Sequence, residues 1–170
     1  DTLRTYIMFM GPFDQAVEWD PQSLIGVHRF IERVWVLRER VSNTAPYTKE
    51  LERVAHQSIK KVSEGIEAMN LNTPIAQLMT LLNALGRFEQ VPQQAYEILL
   101  ILFSLYAPHL CDELWEALGH KASITKMVWP KFNPVLLQTE EFELVIQING
   151  KIRDKCVVAS DILEVELRED

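Results

Sequence analysis

The sequence predicts a mainly α-helical bundle followed by a β-hairpin that begins a small, truncated α+β C-terminal domain. Three observations carry this. Apolar residues recur at spacings of three and four as far as Leu118. The period then changes to two in the run from Phe142 to Ile148. An Asn149-Gly150 pair closes that run, a hairpin signal.

Residues 1–10 have helical spacing and stop at Gly11-Pro12. Asp20 then reads as an N-cap with Pro21 at the first helical position, where the missing N–H removes nothing. Leu24, Val27, Phe30, Ile31, Val34, Leu37 and Val41 carry that helix to about Val41. Asn43 to Tyr47 is a loop, and Thr48 caps a helix to about Met69 with Leu51, Ala55, Ile59, Val62 and Ile66 as its core face. Asn72 or Thr73 caps the next, with Pro74 in its first turn, to about Phe88. Pro92 opens a helix apolar on all sides through Tyr106, as a buried helix is. Pro108 interrupts the pattern, and the last helix ends at Gly119, a favoured residue just past a helix C-terminus. Residues 120–139 are mostly loop.

In the hairpin, Phe142, Leu144 and Ile146 fall on the same parity as Ile152, Cys156 and Val158 if the loop has three residues, ending at Gly150 in a left-handed conformation. Glu143, Lys151, Arg153 and Lys155 then share the other face, and Asp154 is the one charge on the apolar side. A hairpin and a few residues do not close a domain alone. An incomplete second domain is expected, and the Asp1 start also points to a fragment.

Of the 170 residues 48% are hydrophobic, enough for a sizeable core. The longest apolar run, Ile98 to Tyr106, is about half of what a membrane helix needs, and no signal-peptide pattern occurs. A cytoplasmic, membrane-free protein is expected. Cys111 and Cys156 lie far apart without metal-ligand spacing and read as reduced core thiols. A net charge of −7 argues against a protein that coats nucleic acid generically. It leaves room for a local basic surface, because charges beyond a Debye length are screened.

No Gly-rich phosphate loop, HExxH or GxSxG occurs, and His28, His56, His109 and His120 are scattered. Asp112, Glu113 and Glu116 beside Trp115 read as a solvated helix face. No catalytic or metal site is expected. What the helices do offer is two basic stripes. At about 100° per residue, Arg33 and Arg40 fall about 40° and 20° from Arg29, some 140° from the apolar face, while Arg38 lies near that face. On the next helix Arg53, His56 and Lys60 lie within about 40° of Lys49, until Glu64 and Glu67 end the run. Stripes on adjacent helices suit a phosphate backbone. Exposed helix faces also carry Lys and Arg merely for solubility, and the stripes alone leave both readings open. The same holds for Lys151, Arg153 and Lys155, and for Trp19 and Trp129 as stacking or packing residues.

Words in the sequence say more than its statistics. Asp1-Thr2-Leu3-Arg4, Met8-Phe9-Met10-Gly11-Pro12, Arg29-Phe30-Ile31-Glu32-Arg33-Val34-Trp35, His56 with Ile59-Lys60-Lys61-Val62, and Leu71-Asn72-Thr73 occur in order. Ala107-Pro108-His109-Leu110, Glu113-Leu114-Trp115, Trp129-Pro130 and Gln147-Ile148-Asn149-Gly150-Lys151-Ile152-Arg153-Asp154-Lys155 follow. Together they resemble the bacterial-type leucyl-tRNA synthetases, class I aminoacyl-tRNA synthetases; Pro74 stands where that family usually has Ala.

The resemblance implies a parent enzyme that joins leucine to tRNA(Leu) using ATP and magnesium, with catalysis and editing in other domains of the full-length chain. It implies no cofactor in this portion, and a monomer. Residues 1–18 then resemble the stem-contact connector, 19–133 the anticodon-binding-type helical bundle, and 134–170 the linker and start of a C-terminal tRNA-binding domain. It implies tRNA contacts by Arg29, Arg33, Arg40, Lys49, Arg53, His56, Lys60, Lys151, Arg153 and Lys155. Two other readings stay open: the equivalent region of a valyl- or isoleucyl-tRNA synthetase, and a non-catalytic helical protein-interaction module.

Overall fold

A computed structural model describes residues 1–12, 14–137, 141–148 and 151–159, the last two stretches through their backbone pairing. The chain divides into two compact units, Asp1–Asn133 and Pro134–Asp170.

The first unit is built on six helices: α1 (Thr2–Phe9), α2 (Pro21–Leu37), α3 (Lys49–Glu67), α4 (Asn72–Leu85), α5 (Gln93–Phe103) and α6 (Pro108–Ala117). Their starts follow local chemistry. The Asp20 carboxylate accepts from the Gln22 and Ser23 amides, and the Ser23 hydroxyl and these amides hold it below the usual carboxylate pKa. Thr48 caps α3 by accepting from Leu51 N at 3.3 Å. Gly119, at φ +96°, follows α6 as expected. α5 is the central helix: Leu99, Leu100, Leu102 and Phe103 are wholly buried, packed against α3, α4 and α6.

Several boundaries differ from the sequence reading. α2 stops at Leu37, and Arg38–Arg40 form a 3-10 turn. Val41–Ser42 (β1) then pairs in parallel with Val91–Pro92 (β2). A two-residue strand is too short to show alternation, and Val41 satisfies helical spacing equally well. α4 begins without a side-chain cap, after Leu71 rather than Asn72 or Thr73. Its start is set by packing: a Cβ on Gly65 of α3 would lie 2.6 Å from Pro74 Cγ. α3 ends in a left-handed turn at Met69 (φ 58°), with Asn70 N donating to Gly65 O at 2.8 Å. A buried polar bond crosses the same interface, Gln77 Nε2 to Ser58 Oγ at 3.0 Å.

The second unit contains β3 (Glu141–Ile148) and β4 (Lys151–Ala159), antiparallel. Ile148 lies opposite Lys151 and Gln147 opposite Ile152, so the expected three-residue loop is replaced by a shorter connection. A register shift after Ile146 then brings Ile146 opposite Asp154 and Leu144 opposite Cys156. The extra residue expected in the turn is accommodated as a bulge at Arg153, which restores even-to-even pairing. Asn149 and Gly150, and the conformation expected of Gly150, lie outside the described residues.

Candidate nucleic-acid interface

Arg29, Arg33 and Arg40 do share one exposed side of α2 and its terminal turn, and they line a groove of about 440 Å³ with Glu32, Val36 and Leu82. The groove faces α4. Arg33 Nη2 donates to Asn83 Oδ1 at 2.6 Å, and Arg40 Nη1 donates to Phe88 O at 3.1 Å and Gly86 O at 3.4 Å. Arg40 thus neutralises the carbonyl-rich C-terminal end of α4, where a helix carries partial negative charge, while Arg33 binds the Asn83 side chain in the last turn of that helix. Each guanidinium has five N–H donors, so donors remain for another acceptor. Arg29 makes no hydrogen bond or ion pair among the described residues, and Glu32 pairs with His28 at 3.4 Å. Arg38, set apart by its angle, is half-buried with its guanidinium 4.2 Å from the Trp35 ring centroid.

The stripe on α3 divides in two. Lys49 and Arg53 are exposed and unpaired among the described residues. Farther along, a strap of chain covers the helix. His56 Nδ1 accepts from Asn133 N at 3.1 Å, and Lys60 Nζ lies 3.9 Å from Glu64 and 6.0 Å from the Phe132 ring centroid. Trp129 Nε1 donates to Ser63 Oγ at 2.8 Å. His56 and Lys60 therefore hold the strap as well as belonging to the stripe. The stripes are also less closely joined than their sequence order suggests, since α2 packs chiefly on α1 while α3 packs chiefly on α4 and α5. The side chains of Lys151, Arg153 and Lys155 lie outside the described residues.

Several of the remaining polar residues have structural partners. Asp112 Oδ1 accepts from Ile124 N at 2.8 Å, fixing the loop after α6. His120 stacks on Trp115, centroids 3.8 Å apart, and its Nε2 lies 2.8 Å from Glu97 Oε1. Trp19 packs edge-on against Tyr6, centroids 4.9 Å apart. The Cys111 thiol is buried and unpaired, and burial, then the nearby Asp112 charge, raises its pKa. No group of three or more metal-ligating side chains occurs among the described residues, and no helix there is long and apolar enough to cross a membrane. Sequence reasoning missed the α4 end, Asn83 to Phe88, as part of the groove. Every helix has terminal carbonyls, and only tertiary packing decides which arginine reaches them.

A six-helix module with an arginine-lined groove beside a helix end is the class that fold and surface define. The chain belongs to the family described as the anticodon-binding domain of tRNA ligase, which matches residues 48–167. Its relatives include the leucine--tRNA ligase of Borreliella afzelii, 41% identical over 170 residues, covering 99% of this chain and 20% of that protein. The leucine--tRNA ligase of Chlorobium phaeobacteroides is 42% identical over 159 residues, covering 90% of this chain and 20% of that protein. The chain thus spans about a fifth of the length of these relatives. Among solved structures, the Agrobacterium radiobacter LeuRS–tRNA–LeuAMS ternary complex shares the fold, with a TM-score of 0.79 over 99% of this chain and 24% of that one, at 24% identity.

Proposed function

We propose that this chain is the tRNA-positioning portion of a leucine--tRNA ligase, an enzyme that attaches leucine to tRNA(Leu) with ATP and magnesium in its other domains. The observation that carries the reading is the set of exposed cations on α2 and α3 with spare hydrogen-bonding capacity, in a chain that is otherwise acidic. Arg29, Lys49 and Arg53 are the foremost phosphate ligands, because no described partner competes for them. Arg33 offers the donors left after binding Asn83 and Arg40 those left after capping α4, and His56 and Lys60 contribute at the margin of the strap. Lys151, Arg153 and Lys155 extend the contact from the second unit. Residues 1–18 serve the tRNA stem and 134–170 the tRNA elbow. The arrangement suits backbone contact, which positions RNA, more than base reading.

The test is binding of the chain to leucine tRNA, a valine tRNA and an isoleucine tRNA at low and moderate salt. We expect preference for the leucine tRNA and an affinity that falls with salt, by a slope of about 0.9 per neutralised phosphate on duplex DNA and a similar order here. Arg29→Glu with Arg53→Glu is expected to weaken binding about tenfold or more, since charge reversal replaces attraction with repulsion. Unchanged affinity in that double variant refutes the assignment of the stripes.

A further inference from the structure

α5 and α6 form one apolar stretch interrupted at Pro108, and the interruption leaves specific groups unserved. In an unbroken helix the Leu105 carbonyl would receive the His109 amide and the Tyr106 carbonyl the Leu110 amide. Proline cannot continue the ladder, and α6 restarts only with Cys111 N donating to Ala107 O at 3.1 Å. Ala107, the N-cap of α6, has no side chain that can help. The first turn of α1 supplies what is missing. Arg4 Nη2 donates to Leu105 O at 3.2 Å and Arg4 Nε to Tyr106 O at 3.4 Å, joined by Thr5 Oγ1 at 3.5 Å. Asp1 Oδ2 accepts from Leu110 N at 2.7 Å, with His109 Nδ1 3.0 Å from Asp1 Oδ1. The charges also match: a cation sits on the carbonyls that follow α5, and an anion on an amide in the first turn of α6. Two residues past Arg4, Tyr6 Oη accepts at 2.9 Å from N of Asp20, the residue that caps α2.

We infer that Asp1 and Arg4 are positioning residues: a charge-matched splint, set three residues apart at the start of α1, that bridges the helix break at Pro108 and fixes the seat of α1 against α2, the helix whose far side carries the arginine groove. The splint itself stands on these contacts; its effect on RNA rests on the proposed function.

Hydrogen exchange on the 170-residue chain reads the splint directly. Asp1→Ala and Arg4→Ala are each expected to speed exchange of the α1 amides and of Leu110 N–H by about fivefold, the scale of a lost cap, with the interior of α4 and α5 unchanged. Arg4→Lys, which keeps a cationic donor, should retain part of the protection. Unchanged α1 exchange in both alanine variants, or a uniform loss over all helices, overturns the splint. Binding to leucine tRNA supplies the second readout. If the two residues position the groove, both alanine variants weaken binding, although one removes a negative and the other a positive charge. If affinity instead rises in Asp1→Ala and falls in Arg4→Ala, simple charge explains it and the positioning role is overturned. If the parent chain binds no tRNA, the proposed function fails while the exchange data still decide the splint.

Discussion

Replacing Tyr96 by Phe isolates one hydrogen bond in the core. Tyr96 is wholly buried, and its hydroxyl donates to Val34 O at 2.8 Å, tying α5 to α2. The Arg38 amide, which would serve the Val34 carbonyl in a continued α-helix, instead turns to the Trp35 and Val36 carbonyls as α2 tightens into its 3-10 end. Phenylalanine keeps the ring and creates no large cavity, so the change is the loss of one donor over a buried acceptor. Stranding such a group costs about 1–3 kcal/mol. At about 2–4 °C per kcal/mol for a chain of this size, the melting temperature should fall by roughly 5 °C. Tyr47 and Tyr106 are the controls, because their hydroxyls are buried with no partner among the described residues. The same substitution there should be neutral or stabilising. Urea unfolding followed by far-UV circular dichroism measures all three. Equal stability of Tyr96→Phe and its parent, or equal losses at all three tyrosines, would refute the argument that the partner, rather than the hydroxyl, decides the outcome.

Two further expectations follow from burial and close approach. Burial pushes the pKa of Tyr47 and Tyr106 up to about 12 and raises that of Tyr96 as well. The folded chain keeps these protons where the unfolded chain releases them, so their stabilising effect is intact below about pH 10. It is lost progressively as pH rises from there toward 12, and denaturant midpoints measured from pH 8 to 12 should fall over that window, absorbance at 295 nm reporting the ionisation. Gly65→Ala should destabilise the chain by about 1–3 kcal/mol through overpacking against Pro74. Gly65→Ala with Pro74→Ala should recover much of that loss, and additive losses in the double variant would show that the Gly65–Pro74 contact is not the cause.

The helices were legible because their apolar spacing and punctuation agree: Asp20-Pro21, Thr48 and Gly119 act where their chemistry says they should. Illegible were features with no local signature. The β1–β2 pairing joins residues fifty apart through two residues per strand, and the start of α4 is fixed by Pro74 meeting Gly65. Helical angles grouped Arg29, Arg33 and Arg40 correctly on one side, because those angles are intrinsic to a helix. They carry no information about what faces that side, so the α4 terminus beneath two arginines and the strap over His56 and Lys60 had to come from tertiary structure.

The contacts of Arg4 and Asp1 span 102 and 109 residues of sequence. In a bundle whose helices otherwise meet mostly close neighbours in the chain, these are among the last to be satisfied in time. During synthesis α1 precedes the α5–α6 corner, so the contacts of Asp1 and Arg4 wait until that corner has emerged, whereas the Tyr6–Asp20 bond needs only the next helix. Closing so long a loop is also the slow kind of contact in folding. Helices α3 to α5, which pack on one another, can therefore assemble before the contacts of Asp1 and Arg4 close.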